Sequence, residues 1–187
     1  MKKSLHRCCV LMLLALVLAG PARAVPAELR LNQLHHKRWT VDEGAPVVAR
    51  GMAQSGDGAL WIDTDDGLYR FDGLQFERVR SPGPDAQPFG KVSALMGMPD
   101  GSLWIGLRLG VVYHWKDGRY TAHGPAQGLP ADRSIFRFAF GRDGRLWAGT
   151  SDGLFVLQGQ RWRRIGAELG HPDQLVNDLT VDRDGGL

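Results

Sequence analysis

Three tryptophans recur along the chain at one fixed spacing. Trp61, Trp104 and Trp147 lie 43 residues apart, and a fourth copy of the surrounding motif begins at Asp184 and reaches Leu187, one residue before its Trp position. The complete motifs read DGALWIDT (57–64), DGSLWIGL (100–107) and DGRLWAGT (143–150). A period of this length is typical of solenoids, propellers and other arrays, so one repeating unit is predicted to build the fold. We expect the chain to end inside a unit.

Each repeat contains four short segments that alternate or run apolar, separated by turn residues. In the first repeat these segments are 47–54, 60–64, 68–72 and 75–79. Aromatic and β-branched residues are common in them, and the Asp-Gly pairs between them supply the positive φ that tight hairpins require, so four strands are predicted. The predicted units are 47–79, 91–123 and 134–165, followed by an incomplete unit at 174–187.

Tandem four-stranded antiparallel units predict an all-β fold, a partial β-propeller with about three complete blades and the start of a fourth. A β-sandwich also has short strands, but it does not repeat its own sequence. The segment 34–41 (LHHKRWTV) resembles the last strand of the third repeat, GQRWRRI (159–165). We therefore predict that 34–41 is an N-terminal closing strand that completes the last blade of a longer ring. No helix is predicted in 25–187.

Residues 1–24 have the pattern of a signal peptide. A basic start (KKSLHR) precedes an apolar run of about 12 residues, shorter than the ~20 that a membrane-spanning helix needs. Ala-Arg-Ala at 22–24 offers a small-x-small cleavage site. Cleavage would leave 25–187 as the mature, periplasmic chain, and an uncleaved anchor is the alternative.

The net charge of +3 resides in this leader. Lys2, Lys3, Arg7 and Arg23 are four of the 23 basic residues, and 1–24 contains no acidic residue. The rest of the chain therefore holds 19 basic and 20 acidic residues. Without a cationic surplus it has no electrostatic reason to bind nucleic acid or an anionic membrane.

No metal or cofactor site is predicted. The acidic stretches at 63–67 and 182–186 lack the terminal Glu of an EF-hand calcium loop. Both cysteines, at positions 8 and 9, lie in the leader, and the neighbouring His35 and His36 would point to opposite faces of a strand. Neither a Walker motif nor a dinucleotide-binding glycine pattern occurs.

The repeats resemble a known family, the two-component regulator propellers. The resemblance rests on WTVDEGAP (39–46), DGALWIDTDDGLYRFDG (57–73) and DGRLWAGTSDGLFV (143–156), and it extends over nearly all of 34–187. The second repeat departs from the pattern, because GLRLGVV (106–112) lacks the Asp-Gly turn. The first repeat departs as well, with Asp63 where the other two repeats have glycine.

This resemblance implies a function in signal transduction. Members of the family carry such propellers as periplasmic sensor regions, commonly followed by a further β domain, a membrane helix and a cytoplasmic output module. The implied function is a non-catalytic, ligand-sensing region that regulates a downstream histidine kinase, or a diguanylate cyclase as the alternative. The implied partners are a small molecule or saccharide and the output domain of the same polypeptide. The membrane would be reached only through a C-terminal region, and the full-length form would be compatible with a dimer.

The conspicuous repeat residues are interpreted as structural. A large aromatic residue that recurs at one strand position of every unit is expected to pack one blade on the next, and each Asp-Gly pair is expected to form a turn. These residues are Trp61, Trp104, Trp147, Asp57, Asp100, Asp143, Asp184, Gly58, Gly101, Gly144 and Gly185. We predict no catalytic, cofactor-binding or metal-binding residue.

Two other functions remain open. A propeller lyase or glycosidase would need paired carboxylates, for which the candidate acids are Asp63, Asp65 and Asp66 in the second predicted turn. A protein-interaction scaffold is the weaker alternative. For any ligand, binding is expected at the loops 81–90 and 123–133 or at the turns between the second and third strands.

Overall fold

The computed structural model describes residues 36–83, 86–166, 170 and 174–187. The chain divides into two compact units, Met1–Arg38 and Trp39–Leu187, and every described strand lies in the second. The predicted signal peptide, 1–24, lies outside the described residues. Within the described residues, helix is confined to two single 3-10 turns, Val41–Glu43 and Pro125–Gln127. No helix in the described ranges has the length and apolar character to cross a membrane.

The described strands form three four-stranded antiparallel sheets, so the all-β prediction is confirmed. In each sheet the strands pair in chain order, and we call the sheets blades 1 to 3. Blade 1 contains β1 (Gly51–Gln54), β2 (Leu60–Thr64), β3 (Gly67–Phe71) and β4 (Phe76–Arg78). Blade 2 contains β5 (Val92–Gly97), β6 (Leu103–Leu107), β7 (Val112–Lys116) and β8 (Arg119–His123). Blade 3 contains β9 (Ile135–Phe140), β10 (Leu146–Thr150), β11 (Gly153–Gln158) and β12 (Arg161–Ile165).

The turn between the first two strands has one chemistry in all three blades. Its Asp carboxylate accepts a hydrogen bond from the backbone N–H two residues later, at 3.2 Å for Asp57, 3.0 Å for Asp100 and 3.0 Å for Asp143. The following glycines have left-handed φ angles of 83°, 81° and 77°, which residues with a Cβ rarely adopt. Local sequence therefore supplies the hydrogen bond and the glycine conformation that close each first hairpin.

The blades converge on their first strands. Strand β1 contacts β5, and β5 contacts β9, while β2 and β6 add contacts to the first strand of the next blade. The buried side chains form three clusters, and each cluster contains one repeat tryptophan together with residues of the following repeat. The core thus consists of apolar layers between each repeat and the next, and we call each such layer a seam.

The closing strand predicted over 34–41 is not observed. Residues 34–35 lie outside the described ranges, and 36–40 form no strand. The backbone N–H groups of Glu43 and Ala45 bond instead to the Thr40 carbonyl, at 3.1 Å each, while the Thr40 N–H bonds to the Glu43 carboxylate at 2.8 Å. This compact turn therefore engages the backbone N–H and carbonyl of Thr40 locally, where a ladder would otherwise use them. Completion of a ring by this segment stays a prediction.

The fourth repeat also lacks its predicted first strand. Residues 174–181 are irregular, although the Val176 N–H bonds to the Thr150 carbonyl at 2.9 Å. Val176 is buried, and Leu179 and Val181 pack against the blade 3 cluster. At the Asp-Gly turn, Asp182 rather than Asp184 accepts the turn hydrogen bonds. The neighbouring Leu175 is 51% exposed, so only part of the apolar pattern is buried, and no described strand pairs with this segment.

Candidate functional site

A cavity of about 340 Å³ opens where the first strands of the three blades meet. We call it the inner cavity. Its polar lining comes from all three blades, with Arg50 and Asp63 from blade 1, Ser93 and Arg108 from blade 2, and Arg137 from blade 3. These residues lie at the end of the sheets where the β2–β3 and β6–β7 turns are found, which is one of the places that sequence reasoning named.

Asp63 is the unusual member of this lining. The equivalent residues of the other blades, Gly106 and Gly149, face the next unit so closely that an added Cβ would lie 2.9 Å from Ile135 and 2.8 Å from the Val176 carbonyl oxygen. Blade 1 carries a carboxylate at this seam position, and Asp63 is only 6% exposed. The assignment of Asp63 to a turn is therefore wrong, because it lies within β2, whereas Asp65 and Asp66 do form the turn.

The carboxylate of Asp63 is incompletely satisfied. Its Oδ1 atom has no hydrogen-bond partner, and the carboxylate forms no ion pair, among the described residues. Burial raises the pKa of Asp63 to about 6, and the charge of Asp65 adds to the rise, while Arg50 and Arg108 oppose it. A buried carboxylate without a donor is destabilising, and such groups often mark binding or catalytic sites.

The three arginines of the cavity differ in their pairing. Arg50 pairs with Asp65 at 2.6 Å, and Arg137 pairs with Asp178 at 3.0 Å. Arg108 has no side-chain partner among the described residues. Its turn spans 108–111, whereas the corresponding turn of blade 1 spans only 65–66. The departure of the second repeat from the motif thus coincides with the turn that carries Arg108 to the cavity.

A β-bulge shapes the cavity wall in blades 2 and 3. The register of β5 against β6 shifts between Val92 and Ala94, and the register of β9 against β10 shifts at Gly149 and Thr150. Bulges redirect side chains, and the extra residue in blade 2 is Ser93. Its hydroxyl donates to the Ile135 carbonyl at 2.6 Å, which ties the cavity walls of blades 2 and 3 together.

The repeat tryptophans lie away from this cavity, in the second strands and in the seams. Trp61, Trp104 and Trp147 are 1%, 5% and 5% exposed. The Trp104 ring stacks on His114, with ring centroids 4.4 Å apart, and Trp61 lies 5.0 Å from Trp115 of blade 2. The burial of these three side chains is compatible with a role in packing one blade on the next. That structural role remains a prediction to be tested by substitution.

The two long loops contribute to the core. Phe89, from the loop 81–90, is 3% exposed and packs edge-on against Tyr113 at 5.4 Å. Leu129, from the loop 123–133, is also 3% exposed and belongs to the seam between blades 2 and 3. Each loop therefore anchors a blade, and a role of either loop in ligand binding stays a prediction.

Metal-binding geometry is lacking throughout the described ranges. Nowhere in them do three or more His, Cys, Asp or Glu side chains approach closely enough to hold an ion. Within the stretch 182–186, Asp182 Oδ1 accepts hydrogen bonds from the N–H groups of Asp184 and Gly186, at 2.9 and 2.7 Å. That carboxylate therefore closes a turn.

Comparison with known proteins finds similar folds among solved structures but no match by sequence. No protein-family model matches the chain, and no curated protein matches its sequence. Among solved structures, the extracellular domain of a protein described as a hybrid two component system, BT3049 from B. thetaiotaomicron, matches with a TM-score of 0.59 at 17% identity, over 73% of this chain and 19% of its own. The extracellular domain of BT4673 from that organism, likewise described as a hybrid two component system, matches with a TM-score of 0.56 at 20% identity, over 72% of this chain and 19% of its own.

A second structure of the BT4673 extracellular domain, there described as a one component system, matches with a TM-score of 0.57 at 21% identity, over 76% of this chain and 20% of its own. The described part of this chain consists of successive four-stranded blades that converge on their first strands. The chain is part of a β-propeller. It spans about a fifth of the length of these structures, and at such identities the likeness establishes the fold of the propeller alone.

Sequence reasoning missed most residues of the inner cavity. It noted Asp63 as a departure from the repeat but did not single out Arg50, Ser93, Arg108 or Arg137. The signal was available, because aligning the repeats at their period sets Arg50 against Ser93 and Phe136, and Arg137 against Gly51 and Ala94. Charged residues at positions where the sister repeats are uncharged are candidates for function.

Proposed function

We propose that the chain belongs to the extracytoplasmic sensor region of a signalling protein of the two-component regulator propeller type. In this function the propeller is non-catalytic, binds a small molecule, and regulates a downstream histidine kinase of the same polypeptide. Export through the leader at 1–24 delivers it to the periplasm. The output module is a diguanylate cyclase in the alternative form of this proposal.

The observation that carries this proposal is the fold match to three structures of two extracellular domains, described as hybrid two component or one component systems, with TM-scores of 0.56 to 0.59. The inner cavity adds support, because it is a concave site with converging polar groups from three blades. A ligand held by three blades can favour one arrangement of those blades, and such a difference in affinity is what transmission of a signal requires.

The test uses the complete polypeptide that carries this chain, in membranes, with wild type and a deletion of blades 1 to 3 compared. Histidine phosphorylation and cyclic di-GMP synthesis are measured in parallel. We expect one of these outputs in the wild type and a change in its level in the deletion. A complete polypeptide with neither output, or with an output that the deletion leaves unaltered, would contradict the sensor function.

One observation favours an enzyme as the second candidate. Asp63 has a raised pKa of about 6 and lies near Asp65, and a general acid paired with a second carboxylate is what a glycosidase uses. Against this, Asp65 is 64% exposed and paired with Arg50 at 2.6 Å. Steady release of reducing ends from oligosaccharides, abolished in both Asp63→Asn and Asp65→Asn, would establish the enzyme in place of the sensor.

A further inference from the structure

We propose that the inner cavity binds a small hydroxy-carboxylate, with Arg108 pairing to the carboxylate of the ligand and Asp63 accepting a hydrogen bond from one of its hydroxyl groups. This inference deepens the proposed function and rests on it, since it names the ligand class of the sensor. It depends on two groups that face the same cavity, the Arg108 guanidinium and Asp63 Oδ1, for which the described residues provide no hydrogen-bonding or ion-pair partner.

The anionic half of the ligand follows from the arginines. Arg50 and Arg137 are already paired with acidic residues, at 2.6 and 3.0 Å, whereas Arg108 has no partner among the described side chains. A guanidinium presents a planar fork of donors that fits a carboxylate in two parallel hydrogen bonds. The Arg108 guanidinium therefore favours an anionic ligand, and a carboxylate matches its planar pair of donors best.

The hydroxyl half follows from Asp63. This side chain lines the cavity, is 6% exposed, and leaves Oδ1 without a donor in the described structure. A buried carboxylate gains most from a ligand that supplies the missing donor, because the desolvation cost has already been incurred in the free protein. The sister positions are glycines, so the fold itself does not require a carboxylate at this site.

A neutral hydroxyl is the donor that the surrounding charges favour. Three guanidinium groups line the same cavity, so a second cation such as an ammonium group or a metal ion would be repelled by Arg108. A hydroxyl group satisfies Asp63 without that repulsion. The hydroxyl of Ser93, at the bulge, provides a further polar group on the wall.

The test is a calorimetric titration of the full chain with three probes of six carbons each. D-gluconate carries both a carboxylate and hydroxyl groups, D-sorbitol carries the hydroxyl groups alone, and hexanoate carries the carboxylate alone. We expect gluconate to bind at least about tenfold more tightly than either of the other two, the effect of losing one charge-assisted hydrogen bond. Sorbitol or hexanoate binding as tightly as gluconate, or gluconate not binding, would overturn the proposal.

Three variants assign the binding to this cavity. Arg108→Gln and Asp63→Asn each remove one recognition group, and each is expected to weaken gluconate binding about tenfold. Arg119→Gln, on the exposed outer strand of blade 2, is the matched control and is expected to leave the affinity within about twofold. Unfolding of each variant is followed in urea, so that a loss of binding is compared at equal folded fraction. Unaltered gluconate affinity in both cavity variants refutes the site.

Failure of this inference is distinguishable from failure of the proposed function. If gluconate does not bind but deletion of the blades still alters kinase or cyclase output, the ligand class is wrong and the sensor function stands. If gluconate binds in the cavity but the complete polypeptide has no such output, the site is correct and the sensor function is wrong.

Discussion

Trp61 donates its indole N–H to the hydroxyl of Ser55 over 2.8 Å in the seam between blades 1 and 2. Ser55 in turn donates to Asp57 at 2.5 Å, and Arg70 donates to the other oxygen of that carboxylate at 2.7 Å. The Ser55 hydrogen bond is the main reason that the pKa of Asp57 is lowered. A buried tryptophan is thereby linked to the surface turn of its own motif. The other blades have Met98 and Gly141 in place of Ser55, so this link belongs to blade 1.

Removing the Ser55 hydroxyl tests this link. We expect Ser55→Ala to lower the free energy of unfolding by about 1–3 kcal/mol, because the indole N–H of Trp61 would be left buried without an acceptor. Urea denaturation followed by tryptophan fluorescence measures the change. Ser81→Ala, which removes an exposed hydrogen bond to the Gln87 carbonyl, is the control and should change stability by less than about 0.5 kcal/mol. Equal effects of the two substitutions would argue against the link.

Neutralising Asp63 is expected to stabilise the protein at neutral pH. The folded-state pKa of about 6 lies above the ordinary value of 3.8, so the folded chain holds this proton more tightly than the unfolded chain. The contribution of this proton to the free energy of unfolding is fully present below pH 3.8 and is lost as the pH rises through 6. At pH 7.5 the free energy of unfolding is therefore lower by about 3 kcal/mol than in the protonated state. Asp63→Asn should therefore be more stable than the wild type at pH 7.5.

Measurement at low pH provides an internal control for the comparison of Asp63→Asn with the wild type. The stability difference between Asp63→Asn and the wild type should shrink towards zero as the pH falls below about 3.8, since Asp63 is then mostly protonated in both the folded and the unfolded chain. Asp65→Asn, at an exposed position, should change stability by less than about 1 kcal/mol at either pH. A wild type more stable than Asp63→Asn at pH 7.5 would mean that Asp63 is better satisfied than the structure indicates.

Gly106 tests the closeness of the seam between blades 2 and 3. A Cβ at this position would lie 2.9 Å from Cβ and Cγ2 of Ile135, which is closer than real contacts permit. Gly106→Ala is therefore expected to destabilise the protein by about 1–3 kcal/mol through overpacking. Gly90→Ala, where nothing lies within 4 Å of the new Cβ, is the matched control and should be close to neutral. Thermal unfolding that ranks the two variants in the opposite order would contradict the seam geometry.

His123 is expected to make the protein sensitive to mild acid. It is 2% exposed, its Nδ1 atom has no partner among the described residues, and burial followed by the nearby His114 lowers its pKa. The unfolded chain, with the ordinary value of 6.5, then binds this proton more tightly than the folded chain. Stability should be insensitive to this group above pH 7 and should fall as the pH drops below 6.5, by at most about 1.4 kcal/mol per pH unit.

Replacement of the titrating ring isolates this effect. We expect His123→Phe to flatten the dependence of the unfolding free energy on pH between 7 and 5, whatever its effect on absolute stability. The half-buried His114, whose pKa is lowered by burial as well, provides the comparison as His114→Gln and should flatten the profile less. A pH profile of His123→Phe that is parallel to the wild type would exclude the buried ring as the source.

The repeating part of the fold was predictable because its causes are local. Asp57 and Gly58 close their hairpin through an Asx hydrogen bond and a left-handed glycine, and both requirements are visible in a few residues of sequence. Residues 36–40 and 174–181 form no strand, because strand formation depends on a neighbouring strand to pair with. Ring closure by 34–41 stays a prediction. Apolar residues in 174–181 predicted a strand, but the sequence of the segment carries no information on whether a partner strand is present.

The inner cavity was not predictable from any single repeat. Asp63, Arg108 and Arg137 come from three different units, and only the convergence of the first strands brings them to one cavity. The local sequence around Asp63 predicts an acidic turn, since Asp65 and Asp66 follow within three residues. Its burial is a consequence of the next blade packing over β2, which no local pattern encodes.

Sequence alone determined the period, the strand order within each blade, the turn chemistry and the burial of the three repeat tryptophans. These features depend on side-chain alternation and on the backbone preferences of Asp and Gly, which act over a few residues. Tertiary structure alone decided that Asp63 is buried, with Oδ1 lacking a donor within the described ranges, and that Arg108 faces the same cavity. Desolvation and charge pairing are set by what surrounds a group in space, and for Asp63 those surroundings include Arg108, which lies in the next repeat.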